Sequence, residues 1–187
     1  PQWVDFEALR AKGWVKLALP EAPFADGGFP TPNGKVQVDV PGLGVPDHVP
    51  NYESRASAPE LAQRYPLAMI SPPARNFLNS SFVNLKSLRD IEVEPLLEMN
   101  PADAAARGIP AHALVRIFNE RGSYHCKCRI SDRARPGVVN GLGIWWRKLG
   151  VAGTNVNEVT HQRLTDIGRA PTFYDCLVEV EVEAVGA

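Results

Sequence analysis

Cysteine is scarce in this sequence, and long apolar runs are missing. The three cysteines of the 187-residue chain, Cys126, Cys128 and Cys176, cannot all pair with one another, and a domain of this length needs no disulfide staples. A reducing compartment, the cytoplasm, is therefore the expectation. No uncharged run approaches the 18 or so apolar residues needed to cross a bilayer. The opening residues Pro1-Gln2-Trp3-Val4-Asp5 have neither the basic nor the apolar part of a signal peptide. The sequence reads as soluble, without direct membrane insertion. An excess of one charge is lacking too: 20 Lys+Arg stand against 21 Asp+Glu, so a bound phosphate must be held by local donors rather than by a general positive field. That disfavours a nucleic-acid coat protein. There is no G-x-S-x-G, no P-loop and no G-x-G-x-x-G after a strand, so no catalytic residue and no hydrolytic activity is expected of the chain.

What the sequence does contain is proline, 17 residues or about 9%, against a typical value near 5%. Most of it falls between Pro20 and Pro73. Asp5 is placed to cap a short helix over residues 6–12, closed by Gly13. From Pro20 to Glu60 the chain is rich in Pro and Gly, with one alternating strand expected at Val36, Val38 and Val40. Too poor in apolar residues for a core of its own, this stretch reads as an extended arm that lies on something, and residues 1–65 are assigned to it.

Near residue 65 the texture changes. Short apolar runs at 67–70, 96–99, 113–118, 124–130, 138–139 and 177–182 predict six strands, hence a mainly β module, a barrel or a sandwich, over residues 66–187. Asn100, Pro101, Asp103, three alanines and Gly108 supply the capping chemistry of a short helix between two strands. Residues 113–119 and 123–130, joined through Glu120-Arg121-Gly122, predict a hairpin.

Two polar stretches are candidates for binding. Ser71-Pro72-Pro73-Ala74-Arg75-Asn76-Phe77-Leu78-Asn79-Ser80-Ser81-Phe82 follows an apolar strand directly, and loops at strand ends are where ligands sit. Asn79, Ser80 or Ser81 could cap a short helix running toward Leu85 and Leu88, whose free amides would suit an anion, and Arg75 adds a forked cation. The other stretch is Val138-Val139-Asn140-Gly141-Leu142-Gly143-Ile144-Trp145-Trp146, followed by Gly153-Thr154-Asn155-Val156-Asn157-Glu158-Val159-Thr160. Side-chain amides carry the donors and acceptors that a heterocycle edge needs, and an indole can wall a flat ring. Each stretch reads equally as turn and packing chemistry. Along a strand, Cys126 and Cys128 face one way and His125 and Lys127 the other, so His125-Cys126-Lys127-Cys128 is not read as a metal site. The glutamates at 92, 94, 179, 181 and 183 read as solvated faces.

The order of these features resembles one family. It runs from the strand ending in Ser71-Pro72-Pro73 through Phe77 to Phe82, Met99-Asn100-Pro101-Ala102-Asp103-Ala104, Gly108-Ile109 and Arg121-Gly122. It continues through Arg135-Pro136-Gly137-Val138-Val139 and Asn157-Glu158-Val159-Thr160 to Ala170-Pro171-Thr172-Phe173-Tyr174. Residues 66–183 are similar to the C-terminal dinucleotide-binding domain of the molybdopterin oxidoreductases, the family of dimethyl sulfoxide reductase, formate dehydrogenase and dissimilatory nitrate reductase. Gly28-Phe29-Pro30-Thr31-Pro32-Asn33-Gly34-Lys35 resembles the segment leading into that domain.

The resemblance implies a six-stranded double-psi β-barrel with short helices. It also implies that this is the tail of a larger enzyme carrying a bis(molybdopterin guanine dinucleotide) molybdenum or tungsten cofactor. The family's contact loop carries over to Ser71, Arg75, Asn79, Ser80 and Ser81, although Ser71-Pro72-Pro73 stands where many members have Thr-Gly-Arg. The family's Asn-x-Leu-Thr matches Asn157-Glu158-Val159-Thr160, which gives Asn157 a cofactor contact and Asn155 a lesser one. Trp145, Phe173 and Tyr174 fall near the remaining contacts. The metal's protein ligand and the cysteines of any iron–sulfur cluster lie upstream in the family, so the chain alone is expected to be redox-inactive; exposing the apolar surface that would meet the rest of the enzyme, it is expected to associate weakly with itself. Its expected partners are the remaining domains of the same polypeptide. A second reading from another class is a stand-alone double-psi barrel that serves as a protein-binding adaptor.

Overall fold

A computed structural model describes residues 4–45 and 47–183; Pro1, Gln2 and Trp3 at the start and residues 184–187 at the end lie outside this range. The chain divides into two compact units between Asp47 and His48. The second unit thus takes in residues 48–65, ahead of the change in texture near residue 65.

In the first unit the expected helix forms as α1 (Phe6–Lys12). The Asp5 carboxylate accepts from the amides of Glu7 and Ala8, and Gly13 closes the helix at φ 75°. The rings of Phe24 and Phe29 stack with centroids 4.8 Å apart. The strand expected at Val36, Val38 and Val40 is not formed, because no strand among the described residues lies beside it to pair with. An alternating pattern makes a face, but a strand needs a neighbour to take its amides.

In the second unit six strands close into a barrel in the order β1-β5-β2-β4-β3-β6. They are β1 (Leu67–Ile70), β2 (Leu96–Met99), β3 (Leu114–Phe118), β4 (Ser123–Ile130), β5 (Val138–Leu142) and β6 (Cys176–Val182). β1 runs parallel to β5 and β2 parallel to β4, while the other neighbours are antiparallel. Each of the first two strands therefore lies between strands that come later in the chain, the crossed connectivity that the resemblance implied. Only β3 and β4 form the simple hairpin read from the sequence.

Period-2 alternation fills the interior. Val115 and Ile117 of β3, and Tyr124, Cys126 and Cys128 of β4, point into the core with Leu67, Met69, Leu97, Met99 and Val139. The three cysteines are free and buried. On the outer face Glu179 pairs with Arg107, Glu181 with Arg116 and Glu183 with His125, so these carboxylates are partnered as well as solvated.

The helices are short. α2 (Pro59–Arg64) precedes β1. α4 (Pro101–Ala106) carries the anticipated cap, with Asn100 Oδ1 accepting from the Ala102 amide at 2.9 Å. α3 (Lys86–Glu92) differs from expectation. It starts after Leu85 with no side-chain cap, so Asn79, Ser80 and Ser81 do not cap it. They sit in a tight turn in which the Leu78 and Ser81 amides each donate to the other's carbonyl, at 3.2 and 2.8 Å, and Asn79 has φ 51°.

Candidate binding cleft at the barrel rim

Because β1 and β5 are parallel, the segments that follow them leave the barrel at the same end. Pro73 bridges to Gly143, the Ala74 amide donates to Gly143 O at 2.5 Å, and Gly143 N donates to Pro72 O at 3.1 Å. β6 runs antiparallel to β1, so its approach lies beside the end of β1, where Ser71 Oγ donates to Phe173 O at 3.1 Å. Three loops, 71–82, 143–160 and 161–175, therefore converge on one rim. Between them lies a cleft of about 390 Å³. Ser71, Asn79, Asn157 and Phe173, all chosen from the sequence, line it together with Ile144, Thr160, His161, Gln162 and Pro171.

The remaining sequence candidates are placed differently. Ser80 and Ser81 line a neighbouring shallow hollow with Phe82 and Trp146, and Ser80 O accepts from Trp146 Nε1 at 2.7 Å. Arg75 is exposed, and its guanidinium makes no ion pair among the described residues. Trp145 does not wall the cleft. Only 6% exposed, it packs edge-on against Phe77 at 5.1 Å in a second apolar cluster with Ala74 and Val83. That cluster ties the 71–82 loop to the 143–160 loop. Asn155 is occupied internally, its Nδ2 donating to Trp145 O at 3.0 Å and its Oδ1 accepting from the Asn157 amide at 3.0 Å. The Asn157 side chain is exposed and has no hydrogen-bond partner among the described residues. Tyr174 is exposed and leans on Phe173, with ring centroids 4.6 Å apart.

Sequence reasoning missed three contributors. His161 lines the cleft with its Nε2 buried and unpartnered. Its Nδ1 accepts from the Arg163 amide at 3.3 Å, so the neutral ring carries its proton on Nε2, a donor without an acceptor. Gln162 adds a further amide. Their position directly after the Asn157–Thr160 motif was the available signal. Glu53 is the third. Its carboxylate meets Arg121 Nη1 at 2.5 Å and Nη2 at 3.0 Å and accepts from the Leu177 amide at 3.0 Å, while Arg121 also donates to Val159 O at 2.7 and 2.9 Å. Asn119 Nδ2 reaches Val159 O and Leu177 O at 2.8 and 3.1 Å. The hairpin turn thus pins the end of the Asn157 loop. Gly122 permits this approach, since a Cβ there would lie 3.0 Å from Glu158 O. Burial pushes the Glu53 carboxyl up, but the bonds from Arg121 and Leu177 and the Arg121 charge outweigh it and hold it below the ordinary value. Burial raises the Asp175 carboxyl above its ordinary value.

The cleft therefore has side-chain amides, two hydroxyls, an unsatisfied ring N–H and an aromatic face, with no carboxylate among its described lining residues. That set suits a planar, hydrogen-bonding ligand. Comparison with known proteins gives the ligand class: a family model described as a molydopterin dinucleotide binding domain matches residues 67–177. The chain belongs to this family. Molybdopterin dinucleotide-binding domains of this kind occur in longer proteins. A probable oxidoreductase of Bacillus subtilis (strain 168) is 33% identical over 95% of this chain and 26% of its own length. The catalytic chain of a putative dimethyl sulfoxide reductase from Halobacterium salinarum is 32% identical over 95% of this chain and 23% of its own length. The chain thus spans about a quarter of these relatives. Among solved structures, the acetylene hydratase of Pelobacter acetylenicus superposes with a TM-score of 0.71 at 19% identity, over 82% of this chain and 24% of that one. This last likeness supports the fold alone.

Proposed function

We propose that the chain is the cofactor-binding C-terminal part of a larger bis(molybdopterin guanine dinucleotide) oxidoreductase, and that the cleft between Asn79 and Asn157 grips one of its two dinucleotides around molybdenum or tungsten. The observation that carries this reading is the convergence of Ser71, Asn79, Asn157 and Phe173 on one cleft inside a matched dinucleotide-binding domain. When bound, the metal–pterin group supplies two-electron or oxygen-atom transfer.

The chain's own residues do the holding. Asn79, Asn157 and Gln162 offer amide donors and acceptors to a heterocycle edge, and His161 Nε2–H and Thr160 Oγ1 extend the polar wall. Phe173 provides an apolar face, and Arg75, on the same loop as Asn79, offers a guanidinium to phosphate. Ser71 and Asn155 act as positioning residues, since their side chains hold the loops rather than face a ligand. Metal ligand and electron carriers belong to the rest of the polypeptide, so the chain alone is proposed to be redox-inactive. A cytoplasmic setting is proposed on the cysteine usage.

Asn157→Ala and Arg75→Ala in the full-length protein test the assignment. Losing a hydrogen-bond partner of a bound group costs about 1–3 kcal/mol, and each 1.4 kcal/mol is a factor of about ten in affinity. Pterin and metal content per polypeptide should fall in both variants. Undiminished content in both would rule out these contacts.

A further inference from the structure

Residues 36–40 carry the pattern of a strand without a sheet. Val36, Val38 and Val40 alternate with Gln37 and Asp39, and β-branched residues at every second position suit a half-buried strand. In the structure the three valines are 59%, 94% and 41% exposed, and no backbone amide of residues 36–40 donates to a described residue.

Both ends of the segment are nevertheless built. Upstream, the Phe29 amide donates to Gly34 O at 3.2 Å, Gly34 N to Thr31 O at 3.0 Å, Thr31 Oγ1 to Lys35 O at 2.7 Å and Lys35 N to Asn33 Oδ1 at 3.1 Å. Downstream, Pro41 and Gly42, at φ 88°, turn the chain, and the Leu43 amide donates to Val40 O at 3.1 Å. Between two hydrogen-bonded turns lies a stretch of about the usual strand length, with its amides unclaimed and one face wholly apolar.

We propose that Val36–Val40 pairs as a β-strand with the edge of a sheet in the part of the full polypeptide outside this chain, valines inward and Gln37 and Asp39 toward solvent. Such strand addition satisfies the alternate amides that face the edge and covers the valine face in one step. The occupant follows from the relatives. The family model begins at residue 67, yet the likeness to proteins about four times as long covers 95% of this chain and so runs through the arm. The inference rests on the chain being part of a longer polypeptide, and not on the cofactor.

Hydrogen exchange read by mass spectrometry on the full-length polypeptide, with and without cofactor and at two protein concentrations, tests it. Alternate amides of 36–40, those facing the paired edge, should exchange at least about 100-fold more slowly than an unstructured chain, whatever the concentration or cofactor load. Val38→Lys should restore fast exchange across 36–40 and Gln37→Lys should not, with β2 and β4 staying slow in both as internal controls. Fast exchange in the parent, or equal sensitivity to the two substitutions, overturns the proposal. Protection that appears only at the higher concentration also overturns it, in favour of pairing between two copies. Protection that persists in cofactor-free polypeptide supports it independently of the cofactor reading.

Discussion

Removing the guanidinium of Arg121 should destabilise the barrel unit strongly. Arg121 and Glu53 are 25% and 10% exposed at their side chains, and the pair joins residues 48–57, the β3–β4 turn, the start of β6 and the end of the Asn157 loop. Arg121→Met keeps the aliphatic stem but leaves the Glu53 carboxylate with the Leu177 amide as its one remaining donor, and Val159 O with Asn119 alone. Breaking a buried ion pair from one side costs about 3–5 kcal/mol. With a quarter of the Arg121 side chain in water, the lower end applies, about 3 kcal/mol. For a chain of this size that corresponds to a fall in Tm of roughly 6–12 °C. Glu53→Gln removes charge but keeps an acceptor for Leu177, and should cost less, about 1.5–3 kcal/mol. The double variant should cost less than the sum, because the second change removes a partner already alone.

The pH dependence has a definite sign. A carboxyl held below its ordinary value in the folded state contributes stability that is fully present above its unfolded value and lost as pH falls through the lowered folded one. The gap between parent and Glu53→Gln should therefore be full near neutral pH and close in acid. Thermal and urea unfolding across pH measures all of this. An Arg121→Met variant within about 0.5 kcal/mol of the parent, or a gap that widens in acid, would refute the reasoning.

Other expectations follow from the same contacts. Trp145→Ala should cost about 3–5 kcal/mol, because it empties the cluster against Phe77; urea unfolding reads this, and a cost under 1 kcal/mol would mean that the indole is not packed there. The thiol of Cys176 is pushed up to about 12 by burial, and Cys126 and Cys128 are raised for the same reason, so none should react with a thiol reagent at neutral pH until the chain unfolds, when three should. Asn155→Ala should loosen Val156–Glu158 and speed amide exchange there while leaving β1 and β4 unchanged, since Asn155 both caps that turn and holds Trp145 O.

The strands were legible in the sequence because burial alternates on a closed barrel as it does on an open sheet, and because α4 carries local capping chemistry at Asn100 and Pro101. The order of the strands around the barrel was not, since nothing local tells β1 to lie between β5 and β6. At the site, Asn79, Asn157, Ser71 and Phe173 could be named from position in a motif, but whether each faces a ligand or holds a loop depends on tertiary partners. Ser71 reaches Phe173 O, Asn155 reaches Trp145 O, and Trp145 turns inward to Phe77. Glu53 and His161 escaped notice because their partners, Arg121 and Thr172, lie far off or on a loop with no periodic signal. Asn79 to Ser81 were misread as caps because helix propensity begins at Leu85, after a turn that uses their backbone instead. Val36 to Val40 show the converse: a strand pattern legible in sequence that waits for a sheet the described residues do not contain.

A structure of the full-length protein loaded with its cofactor is the most direct measurement of the central claim. A pterin or dinucleotide portion should lie in the cleft between Asn79 and Asn157, within hydrogen-bonding distance of the Asn157 amide. Cofactor density at the other end of the barrel, beside residues 131–137, with that cleft filled only by solvent, would contradict it.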